Sequence, residues 1–301
     1  MTILQAILLG IIQGITEFLP VSSSGHLAIF QNIFKIDTGG SMLFDVMLHV
    51  GTLAAVFVVY RKDIMKMILE ALRICVDIAA NIKIWISNRR DDEALRYRRV
   101  IHNNYRKFVV LILVSTIPTG VIGYTAKSLV SAASATLIVP GVCLLLTGVL
   151  LIVADFTEDG KKIPRDVSYT NGFFLGIAQG LSTLPGLSRS GTTITACLLS
   201  GFDKRFAVKY SFLMSVPAIL GASVLELKDV AAEPITGSLI LCCIIGAVVA
   251  GLVVMFVSKS CWLLSERRNL KDSQSIALHL ALWQSWHILS FNSEGRGIIW
   301  K

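Results

Sequence analysis

At 301 residues, 54% hydrophobic and 16% charged with a mean hydropathy of +0.69, the chain is too apolar for a soluble domain, in which about 25% of residues are charged. The formal charge of +8 does not point to nucleic acid, because twelve of the 28 Lys and Arg fall between Arg61 and Lys107, against six acids. A basic block between apolar runs is what the positive-inside rule places on the cytoplasmic side of a membrane.

The first segment carries Glu17 and His26 as the only ionisable side chains in its first 34 residues. It has no basic leader and no small-residue cleavage site, so it is expected to stay in the mature protein. Pro20 lacks an amide hydrogen and pushes Leu19 toward extended backbone, so the opening helix must break there and restart as a short apolar stretch, Leu27 to Phe34. In "FDVMLHVGT" Asp45 and His49 stand four apart on one helical face, and are read as supporting or packing residues.

Residues 61–107 form the predicted cytoplasmic loop. Within it Lys66, Glu70, Arg73 and Asp77 share a face, while Met67, Ile68, Leu72 and Val76 lie elsewhere on the wheel. This spacing predicts an amphipathic helix lying on the membrane surface or, as the plainer alternative, a solvated cytoplasmic helix. Uncharged runs follow at 108–126, 128–154, 210–225 and 234–258, most of them near the roughly 20 residues a helix needs to cross a bilayer. Spans over 108–126 and 135–154 return the chain to the side of "DGKKIPRD", where Lys161, Lys162 and Arg165 are again basic. The cysteines, Cys75, Cys143, Cys197, Cys242, Cys243 and Cys261, lie mostly in apolar runs without metal-ligand spacing and are read as packing residues.

Self-comparison shows an internal repeat. Residues 10–25 read "GIIQGITEFLPVSSSG" and residues 176–191 read "GIAQGLSTLPGLSRSG", with the order Gly, Ile, Gln, Gly, Leu-Pro, Ser-x-Ser-Gly kept. Each copy is a half-helix stopped by proline, a polar turn, and a short apolar stretch (Leu27 to Phe34; Ile194 to Phe202). Broken helices at membrane depth are tolerated where protein or a water-filled cavity satisfies the freed backbone, so each copy is expected to be a re-entrant hairpin. Repeats of this kind are often inverted and bring their broken helices together near mid-membrane. The predicted fold is therefore an all-α, polytopic integral membrane bundle with inverted repeats and two re-entrant hairpins. Repeat one covers about 1–126 and repeat two about 135–257.

Between Val167 and Phe202 the only charge is Arg189. Charges in such segments cost at least about 2.5–3.5 kcal/mol each on insertion scales and usually mark function. One copy supplies an acid, Glu17, and the other a base, Arg189. A buried ion pair that only fixes the fold would explain both, but not the serine clusters. Ser22, Ser23, Ser24 and Gly25, with Ser188, Ser190, Gly191 and Thr193, offer hydroxyl and backbone donors suited to an anion, and Arg189 adds a planar fork suited to phosphate. Helix capping is the plainer role for the serines. Gln13 and Glu17, four apart, face the same way. An acid, a histidine and serines beside a phosphate pocket form a plausible hydrolytic set.

At these residues the sequence resembles the undecaprenyl-diphosphate phosphatase, or bacitracin-resistance, family of bacteria. One family motif matches Gln13, Glu17, Phe18, Leu19, Pro20, Val21, Ser22, Ser23, Gly25 and His26, and the other matches Pro185, Gly186, Ser188, Arg189, Ser190, Gly191 and Thr193. With "FDVMLHVGT" and "FLMSVPAILGA" the resemblance covers roughly residues 1–257.

The resemblance implies hydrolysis of undecaprenyl diphosphate to the monophosphate carrier of cell-wall synthesis, bacitracin resistance, and a multi-pass protein of the bacterial cell membrane with its site open to the extracytoplasmic face. It also implies interleaved inverted repeats and support by a divalent cation, magnesium or calcium. Carried over by position, Glu17 is the essential acid or a metal holder, Ser23 the favoured nucleophile with water as the alternative, His26 a proton-transfer partner and Arg189 the phosphate clamp. A secondary transporter or lipid flippase on the same repeat, and a non-catalytic scaffold, are the rival readings. The expected partners are a polyprenyl diphosphate lipid and the bilayer, without nucleic acid; a homodimer is left open. The resemblance stops at an atypical tail, 258–301, whose 16-residue apolar run holding His279, Gln284 and His287 is a poor span. It reads as a divergent tail or a shifted frame.

Overall fold

A computed structural model of the chain describes residues 1–17, 19–34, 36, 42–89, 95–134, 136, 138–230 and 236–266. Phe18 and most of the atypical tail lie outside them. The described residues are helical, as expected. The chain opens with a pair of short helices, α1 (Ile3–Thr16) and α2 (Ser23–Ile33). Next come α3 (Met42–Val59) and the long α4 (Arg61–Ser87), then α5 (Asn104–Thr125), the short α6 (Lys127–Ser134) and α7 (Ile138–Phe156). A second short pair follows, α8 (Tyr169–Leu181) and α9 (Arg189–Leu199), and two long helices end the described chain, α10 (Lys204–Val230) and α11 (Gly237–Glu266).

Four stretches are long and apolar enough to cross a bilayer: Asn104–Thr125, Ile138–Phe156, Lys204–Glu226 and Gly237–Val257. Their surfaces have the membrane polarity. On α5, Ile117 and Val121 face outward while Ser115 and Thr119 are buried, the Ser115 and Thr119 hydroxyls donating to the Gly172 and Gly176 carbonyls of α8 at 2.7 and 2.8 Å. Lipid offers no alternative partner for these groups, so such bonds hold helix to helix.

α1 packs chiefly on α11 and α8 chiefly on α5, each across small residues at matching positions of the two copies. A Cβ on Gly10 would stand 2.7 Å from the Gly246 carbonyl oxygen, and one on Gly176 only 2.1 Å from that of Ser115, so neither helix pair could close on a larger residue. Gly10 and Gly14 meet Gly246 and Ala250 in ascending order, so α1 and α11 are parallel; Gly172 and Gly176 meet Leu111 and Ser115 likewise. α3 also ascends with α11, Phe44 lying against Gly246 and Gly51 against Gly251. The far end of α3 adjoins the start of α5, where the Tyr105 hydroxyl donates to Asp63 at 2.7 Å. α1 and α8 therefore enter the bundle from opposite ends, and each copy's first half-helix rests on a helix of the other half of the chain.

The end that holds Asp63 gathers both basic loops. Lys209 pairs with Asp63 and Lys204 with Asp159, each at 2.7 Å, and Lys107 donates to the Arg165 carbonyl at 2.5 Å. This co-location is what the sequence orientation requires. α4 does not continue the line of α3 but turns from it by 84°, the lie expected of a surface helix.

Candidate active site

The two hairpins meet tip to tip. Both restart as helix earlier than the apolar pattern suggests, at Ser23 and Arg189 rather than Leu27 and Ile194, because a serine caps each start. The Ser188 side chain accepts from the Gly191 amide at 3.1 Å, and that of Ser22 from the Gly25 amide at 3.4 Å. Each break also contains a left-handed residue, Gly186 at φ 88° and Ser22 at φ 69°. At Ser22 this carries the steric penalty of a Cβ, a strain typical of functional sites.

Ser23 and Arg189 are thus equivalent, the first helical residue of each copy, and both reach Glu17. The Ser23 hydroxyl donates to Glu17 Oε2 at 2.8 Å, and Arg189 Nη2 donates to Glu17 Oε1. Gln13 Nε2 donates to the same Oε2 at 2.8 Å. Further bonds tie hairpin to hairpin: the Gly186 amide donates to Ser24 Oγ and Ser190 Oγ donates to the Leu19 carbonyl, at 3.3 and 3.2 Å. The Glu17 side chain is 4% exposed, that of Arg189 21%. The acid is buried, and its arginine partner sits at the edge where a ligand can reach it.

The other predicted residues divide. Ser24 is exposed beside the site, while Ser188 and Thr193 are buried and use their hydroxyls internally, Ser188 as a cap and Thr193 with Ser211 at 2.5 Å. Ser22 pairs with Ser24 at 3.3 Å and Ser190 with Ser188 at 3.4 Å. Gly25 and Gly191 lie in the first turns of α2 and α9. Those two helix starts, with positive dipole ends and Arg189 between them, suit an anion. His26 is 5% exposed and its Nδ1 lies 2.7 Å from the Ser22 carbonyl, so the ring is pinned to its own helix.

His49 takes a supporting place, one of the two that its sequence reading held open. Its Nδ1 is 3.0 Å from Gln13 Nε2 and 3.5 Å from Glu17 Oε2. The available signal was a histidine in an otherwise apolar helix, one turn from an acid. Asp45 stands off, accepting from Gln31 at 3.3 Å.

As for a metal, no three His, Cys, Asp or Glu side chains gather among the described residues to hold one. Glu17 and His49 adjoin, and the buried Gln13 Oε1 has no hydrogen-bond partner. One carboxylate and a spare amide oxygen suit a hard cation that completes its shell with substrate phosphate and water rather than a protein cage.

Comparison with known proteins gives the family. The family described as bacitracin resistance protein BacA matches residues 6–272, both hairpins included. The chain belongs to that family. The match reaches past Val257, where the resemblance in the motifs stops. Among relatives, the chain is 44% identical over 230 residues to the undecaprenyl-diphosphatase of Alkaliphilus metalliredigens, covering 76% of this chain and 78% of that protein. It is 36% identical over 250 residues to that of Methanosphaera stadtmanae (83% and 86%) and 37% identical over 259 residues to that of Halothermothrix orenii (86% and 88%). These BacA-family relatives are named as hydrolases, which gives the transporter reading no support.

Proposed function

We propose that the protein is a membrane phosphatase that converts undecaprenyl diphosphate to undecaprenyl phosphate and inorganic phosphate, and so recycles the carrier lipid and confers bacitracin resistance. The observation that carries this is the convergence of Ser23 from one hairpin and Arg189 from the other on a single buried carboxylate, Glu17. The names of the relatives support the substrate.

Ser23 is poised to lose its proton to Glu17 and attack the terminal phosphorus. The anhydride P–O bond breaks, undecaprenyl phosphate leaves with the proton that Glu17 took, and the phosphoryl group stays on Ser23 Oγ. Water then attacks that phosphorus, its proton passing to Glu17 and on to Ser23 Oγ as the bond from phosphorus to Oγ breaks, and phosphate departs with Ser23 restored. Arg189 uses one nitrogen on Glu17 and keeps its remaining donors for the phosphoryl oxygens. His26, with Nδ1 spent on Ser22, exchanges protons through Nε2. His49 and Gln13 hold the Glu17 carboxylate from behind. A divalent cation held by Glu17 and the diphosphate oxygens would offset charge on the transferring group.

The site serves lipid arriving from the extracytoplasmic face. The basic loops mark the cytoplasmic end, and the hairpin that carries Glu17 and Ser23 enters from the other. The test is phosphate release by purified protein in detergent with undecaprenyl diphosphate and magnesium. Absence of release, with folding confirmed, overturns the proposal.

A further inference from the structure

Between Lys62 and Asp77 α4 sorts its side chains into sectors, while the exposed Arg61 and Lys83 near its two ends fall on the apolar side. Its three acids turn inward and are all engaged. Asp63 accepts from Tyr105 and Lys209, each at 2.7 Å. Glu70 accepts from Arg106 Nε at 2.9 Å and Asp77 from Arg106 Nη1 at 2.5 Å. At about 100° per residue, the exposed Met65, Ile68, Leu69, Leu72 and Val76 fall in an arc about 100° wide on another side. Lys62, Lys66 and Arg73, all exposed, fill the seam between the two.

The inward sector explains why the helix sits where it does. Arg106, 5% exposed, binds two carboxylates of α4 at once, and Asp63 ties the helix start to α10. Arg106 and Lys209 thereby remove negative charge from the helix surface. Lys66 lies over the Tyr105 ring at 4.2 Å and Arg73 reaches Glu70 at 2.7 Å, so both are held along the seam while remaining exposed. A helix at 84° to α3, on the end of the bundle that gathers the basic loops, presents that seam and the apolar arc together.

We propose that α4 is a docking strip for anionic phospholipid. Its apolar arc enters the acyl boundary of the leaflet on the basic side, and Lys62, Lys66 and Arg73 bind lipid phosphates. An apolar arc alone would accept any hydrophobic partner. The adjoining row of cations, with every acid of the helix drawn inward, selects a negatively charged lipid surface.

The full chain is reconstituted in vesicles of phosphatidylglycerol and phosphatidylcholine, with a nitroxide on Cys75, which is exposed on α4 beside the apolar arc, and Cys261→Ser to prevent double labelling. The label should collide more with oxygen than with a water-soluble nickel chelate. Lipid retained on extraction should be enriched in phosphatidylglycerol over the bulk ratio. Each cation contributes about fivefold to such binding, so Lys62→Gln/Lys66→Gln/Arg73→Gln should cut the enrichment sharply toward the bulk ratio. The charge-keeping Lys62→Arg/Lys66→Arg/Arg73→Lys should keep the enrichment, and guards against a simple folding defect. A label as open to the nickel chelate as one on a solvated helix, as it would be under a protein partner's wet interface, overturns the proposal. So does equal enrichment in the neutralised variant.

Discussion

Arg189→Ala separates a structural ion pair from a catalytic one. The Glu17 side chain is 4% exposed, so removing its cationic partner leaves a buried carboxylate uncompensated, at a cost of about 3–5 kcal/mol. Gln13 and Ser23 still donate to it. The stability loss should therefore fall near the lower bound, about 3 kcal/mol. An arginine on a transferring phosphoryl group is worth about 10³–10⁵ in kcat, or roughly 4–7 kcal/mol at the barrier. Unfolding in detergent and phosphate release from undecaprenyl diphosphate measure the two effects separately. In Glu17→Gln/Arg189→Ala both charges are gone, and stability should recover by about 1–3 kcal/mol relative to the sum of the single variants while activity stays absent. Arg189→Lys keeps the charge but not the fork, and should restore folding more than turnover. Turnover of Arg189→Ala within about tenfold of the parent, alongside a lowered unfolding midpoint, would refute the phosphate-clamp role and leave a purely structural pair.

Ser23→Ala should lower kcat by about 10²–10⁴ without unfolding the protein, and acid quenching of the parent during turnover should trap phosphoserine; a fully active alanine variant assigns the attack to water. His49 Nδ1 lies within reach of both Gln13 Nε2 and Glu17 Oε2, so removing the ring with His49→Ala should lower kcat/KM, and unchanged turnover reduces His49 to packing. Glu70, outside the spans, is held below the usual glutamate range, first by its hydrogen bond from Arg106. Its stabilisation is complete above that range and is lost as pH falls through the lowered folded value, so Glu70→Gln should flatten the acid limb of stability against pH. A stop after Val257 removes none of Gly246, Ala247, Ala250 or Val253, through which α11 meets α1 and α3, so phosphate release should survive it.

Much of this was legible because it rests on backbone arithmetic. Two prolines in two copies of one motif force two breaks, and lone charges in apolar copies must find each other, so the Glu17 to Arg189 contact follows from Glu17 and Arg189 being the acid and the base there. The positions of the spans likewise follow from uncharged length. What was not legible depends on rotation and close approach. For His49 the choice between a supporting and a packing place stayed open, because nothing in α3 tells which face turns toward α1. Ser188 and Thr193 carry the right chemistry, but capping and the Ser211 contact use it up inside the bundle. The turn between α3 and α4 has neither proline nor glycine at Tyr60 and Arg61; it is held by Asp63 on Tyr105 and Lys209, which are distant in sequence.

The pairing of copies also accounts for the chemistry being asymmetric on a symmetric frame. Ser23 and Arg189 occupy the same place, one residue past a serine cap at a helix start, so the fold delivers both to the meeting point of the hairpins, where both reach Glu17. A frame with serine at both places would hold a nucleophile but no cation to offset the charge developing on the phosphoryl oxygens. Arginine at both would set two guanidinium groups against one carboxylate and leave no hydroxyl to attack. On the proposed mechanism, divergence of a single equivalent position supplies both the nucleophile and the cation that offsets phosphoryl charge, and Glu17, bonded to both, couples them. The same reasoning explains why Glu17 needs no acidic twin. The second copy has Ser182 and Thr183 where the first places its acid, and their hydroxyls bond the Gln179 and Gly180 carbonyls of their own helix, so one carboxylate serves the whole site.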